Sequence, residues 1–445
     1  MIGSSTHREI SLTRRRVVNA APAIAGVGLL GACQGPGQTV APRMDERDVT
    51  LTYLTDWANN AVRNEWVKQA LPRFTAEFPR IKVQVESAGN DSATAIITGA
   101  AAGTLQDVFF NENDVFQKLA QQGDLKDIAP VLKSLRVNPS DVVSIPSGTS
   151  YRGKQHGLPL QLTVQTMMIN KTLFKQNGVP LPDKMTTFPQ WAEMLRRITR
   201  PSENAFGYLA NNNWPKWLPF VWGYGGERWS PDLKKSLFDQ PASIEGLQFY
   251  VDLTWRYQVS PPLNAQGGVV PTGISFTSGN LGGDTTASPG AGTDRSVGGK
   301  FEWDIMFTPL GPRTGKRFVF INTNANVVSG TASRRGVFDQ AVQLVAWISA
   351  SKVSQDLVVE TGASTPVYKP VLNGVRFLAG PPATNKIVVD MIPDWKDPDI
   401  FIGWNEYRDT VLAALLPAVT NQKSVPDAAK EMARTGQVVL DKIPR

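Results

Sequence analysis

The chain predicts an α/β fold in two domains, on three observations: strand and helix periodicities alternate along the body, a short apolar strand leads into a polar loop, and the length exceeds one core. With 445 residues, it is longer than the ~250–300 residues that a single hydrophobic core serves. Val49, Leu51 and Tyr53 alternate with Thr50, Thr52 and Leu54 as a strand, and "IKVQVE" from Ile81 does the same. Between them Val62, Trp66, Ala70, Phe74 and Phe78 recur at helical spacing, and Pro72 is expected to kink that helix. "DVFF" from Asp107 reads as a buried strand, followed by a helix carrying Val115, Phe116 and Leu119. Strand–helix–strand units call for a parallel sheet covered by helices, with strand-end loops open to ligand.

The N-terminus reads as an export segment. Arg14, Arg15 and Arg16 precede an apolar stretch over 17–30 and small residues before Cys33, the single cysteine of the chain. The stretch is shorter than the ~20 residues a membrane span needs. Thr13-Arg14-Arg15-Arg16-Val17-Val18 resembles a twin-arginine signal, and Leu30-Gly31-Ala32-Cys33 resembles the lipobox of bacterial lipoproteins. These resemblances imply a signal peptide over 1–32, lipid on Cys33, and a position at the outer face of the cytoplasmic membrane or in the periplasm. Residues 33–48 are Gly-, Pro- and polar-rich and read as a flexible tether. With its cysteine committed, the fold is expected to stand without disulfides.

Charge and chemistry narrow the function. Arg8, Arg14, Arg15 and Arg16 against Glu9 account for +3 of the formal +7, leaving +4 scattered over the body. No basic block with interleaved aromatics stands out, so nucleic acid is not an expected partner. The histidines are His7 and His156, too few for a zinc cluster, and no metal or other cofactor is expected. No G-x-S-x-G elbow supports a triad around His156. "GGK" at Gly298 fails as a phosphate loop because Phe301 follows Lys300 where Ser or Thr is required.

"TAEFPRIKVQVE", "AAAGTLQDVFF", "FQKLAQQGDLKDIAPVL", "YRGKQHGLPLQLTVQTMMINKTLFKQNGV" and "AVQLVAWISASKVSQDLVVETGASTPVYKPV" resemble, in order, the signatures of family 1 extracellular solute-binding proteins of ABC importers. The resemblance spans nearly the whole body. It implies the two-lobed periplasmic-binding-protein fold, with lobes joined by three crossing segments and closing on a ligand. Carried over, the crossings fall at 161–164, 279–284 and 348–352. One lobe then comprises 49–162 with 284–349, and the other 163–283 with 350–445. The implied partners are a small solute, most simply a sugar, and a membrane permease that receives it from a monomeric carrier.

A cleft for polyols needs polar side chains for hydroxyls and aromatic surface for ring faces. "TDWANN" offers Trp57 and Asn59 after the first strand, and "NENDVF" offers Asn111, Glu112 and Asp114 beside it. The resemblance implies that the acidic and amide groups accept hydrogen bonds from ligand hydroxyls. "NNNWPKW" supplies Asn213 and Trp214, "IGWNEY" supplies Trp404 at a helix start, and Thr163 with Gln165 lies on the first crossing. "INTNAN" puts Asn322 and Asn324 on a loop facing the cleft. Trp66 and Trp347 fall in helical apolar stripes and belong to the core. Alanine at Trp214 or Trp404 is therefore expected to weaken binding and spare stability.

The family pattern breaks after Phe276-Thr277-Ser278-Gly279, where 280–300 turns Gly-, Ser- and Thr-rich and reads as a mobile loop over the cleft. Two other functions stand beside sugar capture. A glycerol-phosphate type ligand would draw on converging cations or helix N-termini, with Arg228, Arg295 and Arg313 as unplaced cations. A glycoside hydrolase would need two carboxyls ~5–9.5 Å apart, a geometry that Glu112 and Asp114, two residues apart on one loop, do not secure. No catalytic residue is assigned.

Overall fold

The computed structural model describes residues 47–89, 91–111, 115–287 and 290–443. The export segment, Cys33, Glu112 and Asp114 lie outside the described residues. The body forms two α/β lobes. In the first, β1 (Val49–Thr55) runs into a 3-10 turn, then α1 (Ala61–Glu77) and β2 (Ile81–Ser87). The Asn60 side chain starts α1 by accepting from the Val62 and Arg63 amides at 3.0 and 3.1 Å. Pro72 lies within α1, which continues across it to Glu77. Then follow α2 (Ser92–Ala101), β3 (Val108–Asn111) and α3 (Val115–Gln122).

A small hairpin, β4 (Ser150–Tyr151) and β5 (Lys154–Gln155), precedes β6 (Gly157–Asn170). The remaining strands are β7 (Gly283–Ala287), β8 (Trp303–Met306), β9 (Val319–Val328) and β10 (Trp395–Lys396). The main sheet has the order β2-β1-β3-β9-β6-β7, with β8 also on β6 and β10 on β9. Its direction departs from the parallel sheet expected from sequence. β1 is parallel to β2 and β3, as strand–helix–strand connections require, whereas β9 is antiparallel to β3 and β6, and β7 and β8 are antiparallel to β6. The reversal has a physical origin: β6 and β9 are lobe-to-lobe strands running in opposite senses. At ~3.3 Å per residue, the 14 residues of β6 reach about 45 Å.

Burial follows this layout. Leu51, Tyr53, Val108 and Phe110 face α1 and the helices Phe338–Ala350 and Lys352–Thr361, while Leu54 and Phe109 face α2 and α3 with Ile96, Phe116 and Leu119. Strand residues one apart point to opposite faces, so both faces of this sheet are covered. Trp66 and Trp347 take the core places expected of them, each donating its indole N–H, to Ser354 O at 3.0 Å and to Glu77 Oε2 at 2.8 Å. The second lobe is helical around a core of Trp191, Trp217, Phe220, Tyr250, Tyr407 and Leu415. A third cluster, including Val164, Ile321, Leu281, Ile305, Val367 and Met391, fills the region behind the crossing strands.

The boundaries inferred from sequence shift accordingly. Residues 161–164 do lie on a strand that pairs with β9 on its first half and with β7 and β8 on its second. The second passage is made by β9, with Phe320 in the second-lobe core and Val328 in the first, rather than by 279–284. The segment 348–352 is a helix-to-helix junction inside the first lobe: Ile348 and Leu357 share its core, and Trp66 bonds Ser354. Instead, the chain returns near 391–400, where β10 pairs with β9 and Ile400 enters the second-lobe core. The stretch 280–300 is not an open loop. β7 pairs with β6 from Gln165↔Ala287 to Ile169↔Gly283, where Thr285 and Thr286 suit a strand as well as a loop, and Ala291–Val297 is helical.

Candidate functional site

The crossing strands supply a polar floor. Along β6 every residue is buried except Thr163 and Gln165, and along β9 every residue except Asn322. Thr163 and Asn322 are register partners, so their side chains stand together on one face, with Gln165 two residues on. These residues and Phe320 line a cavity of about 680 Å³. Asn322 donates from Nδ2 to Asn324 Oδ1 at 3.2 Å. "INTNAN" is thus strand rather than loop, and Asn324 is buried beneath the cavity-lining Asn322.

The walls come from the second lobe. Asn211, Asn212 and Asn213 form the approach to the helix Trp214–Gly223. Asn211 Oδ1 accepts from the Asn213 amide at 3.2 Å, and its carbonyl accepts from the buried Tyr250 hydroxyl at 2.8 Å. Asn212 Nδ2 donates to Leu412 O at 2.9 Å. Opposite stands the helix Trp404–Val419, entered through Gly403 at φ 98°, a left-handed conformation that glycine adopts without steric cost. Trp404, Arg408, Leu412 and Leu416 line the cavity at four-residue spacing, one face of that helix. Asp409, Gln266, Gly267, Pro398 and Ile400 complete it.

The tryptophans behave differently from open stacking platforms. Trp214 and Trp404 touch the cavity but are 4 % and 3 % exposed, meeting edge to face at 5.1 Å between centroids. Trp217 crowds Trp214, while Trp229 and Phe401 crowd Trp404, so most of each ring is spent on packing. Packing of this kind argues against the expectation that alanine there would spare stability, and a loss of stability is predicted instead. Among the described residues, Trp214 Nε1, Asn212 Oδ1 and Asn322 Oδ1 are buried polar atoms without a hydrogen-bond partner. Each such group costs ~1–3 kcal/mol until something pairs with it. Together they are one donor and two acceptors around one cavity.

Charge is sparse and already matched. Arg408 donates to Asp409 Oδ1, from Nε at 2.9 Å and from Nη2 at 2.8 Å. Lys216, at the base of the helix from Trp214, pairs with Asp284 at 2.5 Å. Burial pushes the Asp284 carboxyl up, against the pull of Lys216. None of Arg228, Arg295 and Arg313 lines the cavity: Arg228 is buried against residues 397–399, Arg295 donates to Thr361 O, and Arg313 pairs with Glu245.

The first-lobe candidates lie elsewhere. Trp57 is fully buried, edge-on to Trp66 at 5.1 Å and to Phe110 at 6.1 Å, because the turn after β1 folds the indole back onto the sheet. Asn59 donates to Gly89 O at 2.8 Å and accepts from Ser87 Oγ, tying two loops at the surface. Asn111 is buried at the end of β3, where its Oδ1 accepts from the Phe116 amide at 3.2 Å. Of the residues singled out from sequence, the cavity gathers Thr163, Gln165, Asn213, Trp214, Asn322 and Trp404. Arg408 and Asp409 were missed, although the four-residue step from Trp404 to Arg408 is a readable signal.

Residues 58–354 match the family model described as bacterial extracellular solute-binding protein. A mannitol-binding protein from Pseudomonas aeruginosa is 25 % identical over 180 residues, covering 39 % of each chain. The chain thus aligns with about two-fifths of that curated relative's length. Among solved structures, an ABC substrate-binding protein from Listeria monocytogenes in complex with cycloalternan superposes with a TM-score of 0.75 at 20 % identity, over 88 % of this chain and 97 % of that one. UgpB from Mycobacterium tuberculosis in complex with glycerophosphocholine gives 0.74 at 16 % identity, over 88 % and 99 %. At these identities the superpositions speak for the fold, and they agree with the lobes and crossing strands described above. The family match covers most of the chain, and on that ground this protein belongs to the bacterial extracellular solute-binding proteins.

Proposed function

We propose that the protein captures a carbohydrate in the cavity between its crossing strands and second lobe, and hands it to an ABC importer. The observation that carries this reading is the lining: amides and a hydroxyl at Thr163, Gln165, Asn211, Asn212, Asn213, Gln266 and Asn322, two indoles, and an arginine already bonded to a carboxylate. Neutral hydroxyls both donate and accept, which suits unpaired amide oxygens and an indole N–H in one place. The volume falls in the ~300–1,000 Å³ range of small-molecule sites. Thr163, Asn213, Trp214, Asn322 and Trp404 are assigned ligand contact, joined by Gln165 and Arg408. The family's members are binding proteins, and no catalytic step is assigned here.

Closure turns about β6, β9 and the return near 400, trapping the solute as the lobes meet. The twin-arginine signal and the lipidated Cys33 belong to the same reading: the carrier works as a monomer, tethered outside the cytoplasmic membrane beside its permease.

A glycerophosphodiester is the second reading, favoured by Arg408 on the wall. A thermal-shift screen of the chain from residue 34 onward, against mannitol, maltotriose, glycerophosphocholine and inorganic phosphate, separates the two. A ligand at 100 times its dissociation constant adds ~2.7 kcal/mol. Shifts with mannitol or maltotriose are expected. A shift confined to the phosphorylated compounds would replace the sugar by the phosphodiester.

A further inference from the structure

Residues 394–400, the return passage between the lobes, are held very unequally on their two sides. Toward the second lobe they are bolted by charge. Arg317 pairs with Asp394 at 3.2 Å, Lys396 pairs with Glu227, and the buried Arg228 donates to Pro398 O at 2.9 Å, Asp397 O at 3.2 Å and Asp399 Oδ2 at 3.0 Å. The Arg228 guanidinium also lies 4.1 Å from the Trp229 ring centre. Toward the first lobe, among the described residues, the hydrogen bonds that hold the passage come from two side chains. Gln117 of α3, buried, donates from Nε2 to Ile400 O at 2.9 Å and to Ser147 O at 2.8 Å. Ser147 Oγ in turn donates to Asp397 Oδ1 at 2.9 Å. Pro398 and Ile400 are cavity wall.

We propose that Gln117 and Ser147 are positioning residues for solute capture: they latch the cavity wall to the first lobe in the open arrangement, and releasing them favours closure. We take this arrangement as the open one; the described lining of the cavity comes from the crossing strands and the second lobe. When the lobes swing, the charged bolts carry 394–400 along with the second lobe, and the bonds from Gln117 and Ser147 are the ones that must give. A carrier whose competent state is a fraction of the population binds more weakly by that fraction. Loss of the latch therefore tightens apparent binding, although neither residue lines the cavity. The inference rests on the solute-capture reading above.

Two variants of the full chain test it, Gln117→Met, which keeps the volume and removes the donors, and Ser147→Ala. Small-angle scattering without solute is expected to give a smaller radius of gyration for both than for the parent. Calorimetric titration with maltotriose and with mannitol is expected to show binding tightened roughly two- to tenfold, the worth of one or two neutral hydrogen bonds. A purely structural role would lower the melting temperature and leave the radius unchanged. An unchanged radius in both variants, or weakened binding, overturns the latch. Absence of heat with either sugar in the parent counts against the carbohydrate reading, and the scattering comparison still decides the latch.

Discussion

Trp57 and Trp404 stand in closely similar sequence settings, each at the start of a helical turn in polar company, and the protein uses them differently. Trp57 is turned inward onto Trp66 and Phe110 in the first-lobe core. Trp404 sits beside Trp214 with an edge on the cavity, at the head of a helix whose next turns bring Arg408 and Leu412 to the same wall. The difference lies in the preceding backbone. Trp57 follows a strand through a 3-10 turn capped by Thr55, whose Oγ1 accepts from the Trp57 amide at 3.1 Å, and the indole falls back under the sheet. Trp404 follows Gly403 in the left-handed region, which aims the helix along the cavity instead. An element end in polar company therefore does not identify a binding aromatic; the geometry of the entering turn does.

Substitutions break or sharpen that contrast, beginning with the largest effect. Trp404→Ala removes a buried indole from among three aromatic neighbours, Trp214, Trp229 and Phe401, and a loss of ~3–5 kcal/mol is expected by urea denaturation. A loss under ~1 kcal/mol would return Trp404 to the role of an open platform. Trp57→Phe is expected to cost roughly 1–3 kcal/mol while leaving solute affinity unchanged in calorimetry, since its ring is confined to the core. Asn322→Ala should do the reverse: affinity falls by ~0.5–1.5 kcal/mol with a smaller loss of melting temperature, because its Oδ1 has no protein partner and its side chain gives up only the 3.2 Å bond from Nδ2 to Asn324 Oδ1.

The smallest effect is one of pH. Burial raises the Asp397 carboxyl; the Asp399 amide pulls it down, the Asp399 charge pushes it up, and Ser147 and Arg228 lower it. A carboxyl raised in the folded state takes its proton there before it does in the unfolded chain. The folded parent therefore gains stability, relative to Asp397→Asn, as pH falls through the raised value toward the ordinary one. Stability curves of the two proteins between neutral pH and pH 4 should converge or cross in that sense. A gap that widens against the parent on acidification would contradict the burial.

Much of the fold was legible in local pattern. The alternation in β1 and β2, the stripe of α1 and the short apolar β3 all appear where periodicity puts them, because each is fixed by residues within one element. The crossings after the first were misplaced, since a strand such as β9 that leaves one core for another carries no local mark of doing so. For the site, Thr163 and Gln165 were readable as polar positions alternating with Leu162, Val164 and Thr166 on a buried strand. Asn111 and Asn324 were not distinguishable from them, because a buried amide that caps its own loop, as Asn111 does, or lies within a strand, as Asn324 does, has the same composition as an amide facing ligand. Gln266, Pro398 and Ile400 reach the cavity from loops far apart in sequence, and only the assembled tertiary structure brings them there.

The central claim is that solute sits on the crossing strands and the second lobe. Hydrogen exchange of the chain from residue 34 onward tests it, with and without whichever of mannitol, maltotriose and glycerophosphocholine gives the largest thermal shift. Protection is predicted to concentrate at 163–165, 320–322, 211–215 and 404–412. Protection that avoids these segments and gathers instead around the surface groove of Leu181, Met185 and Met194 would contradict it.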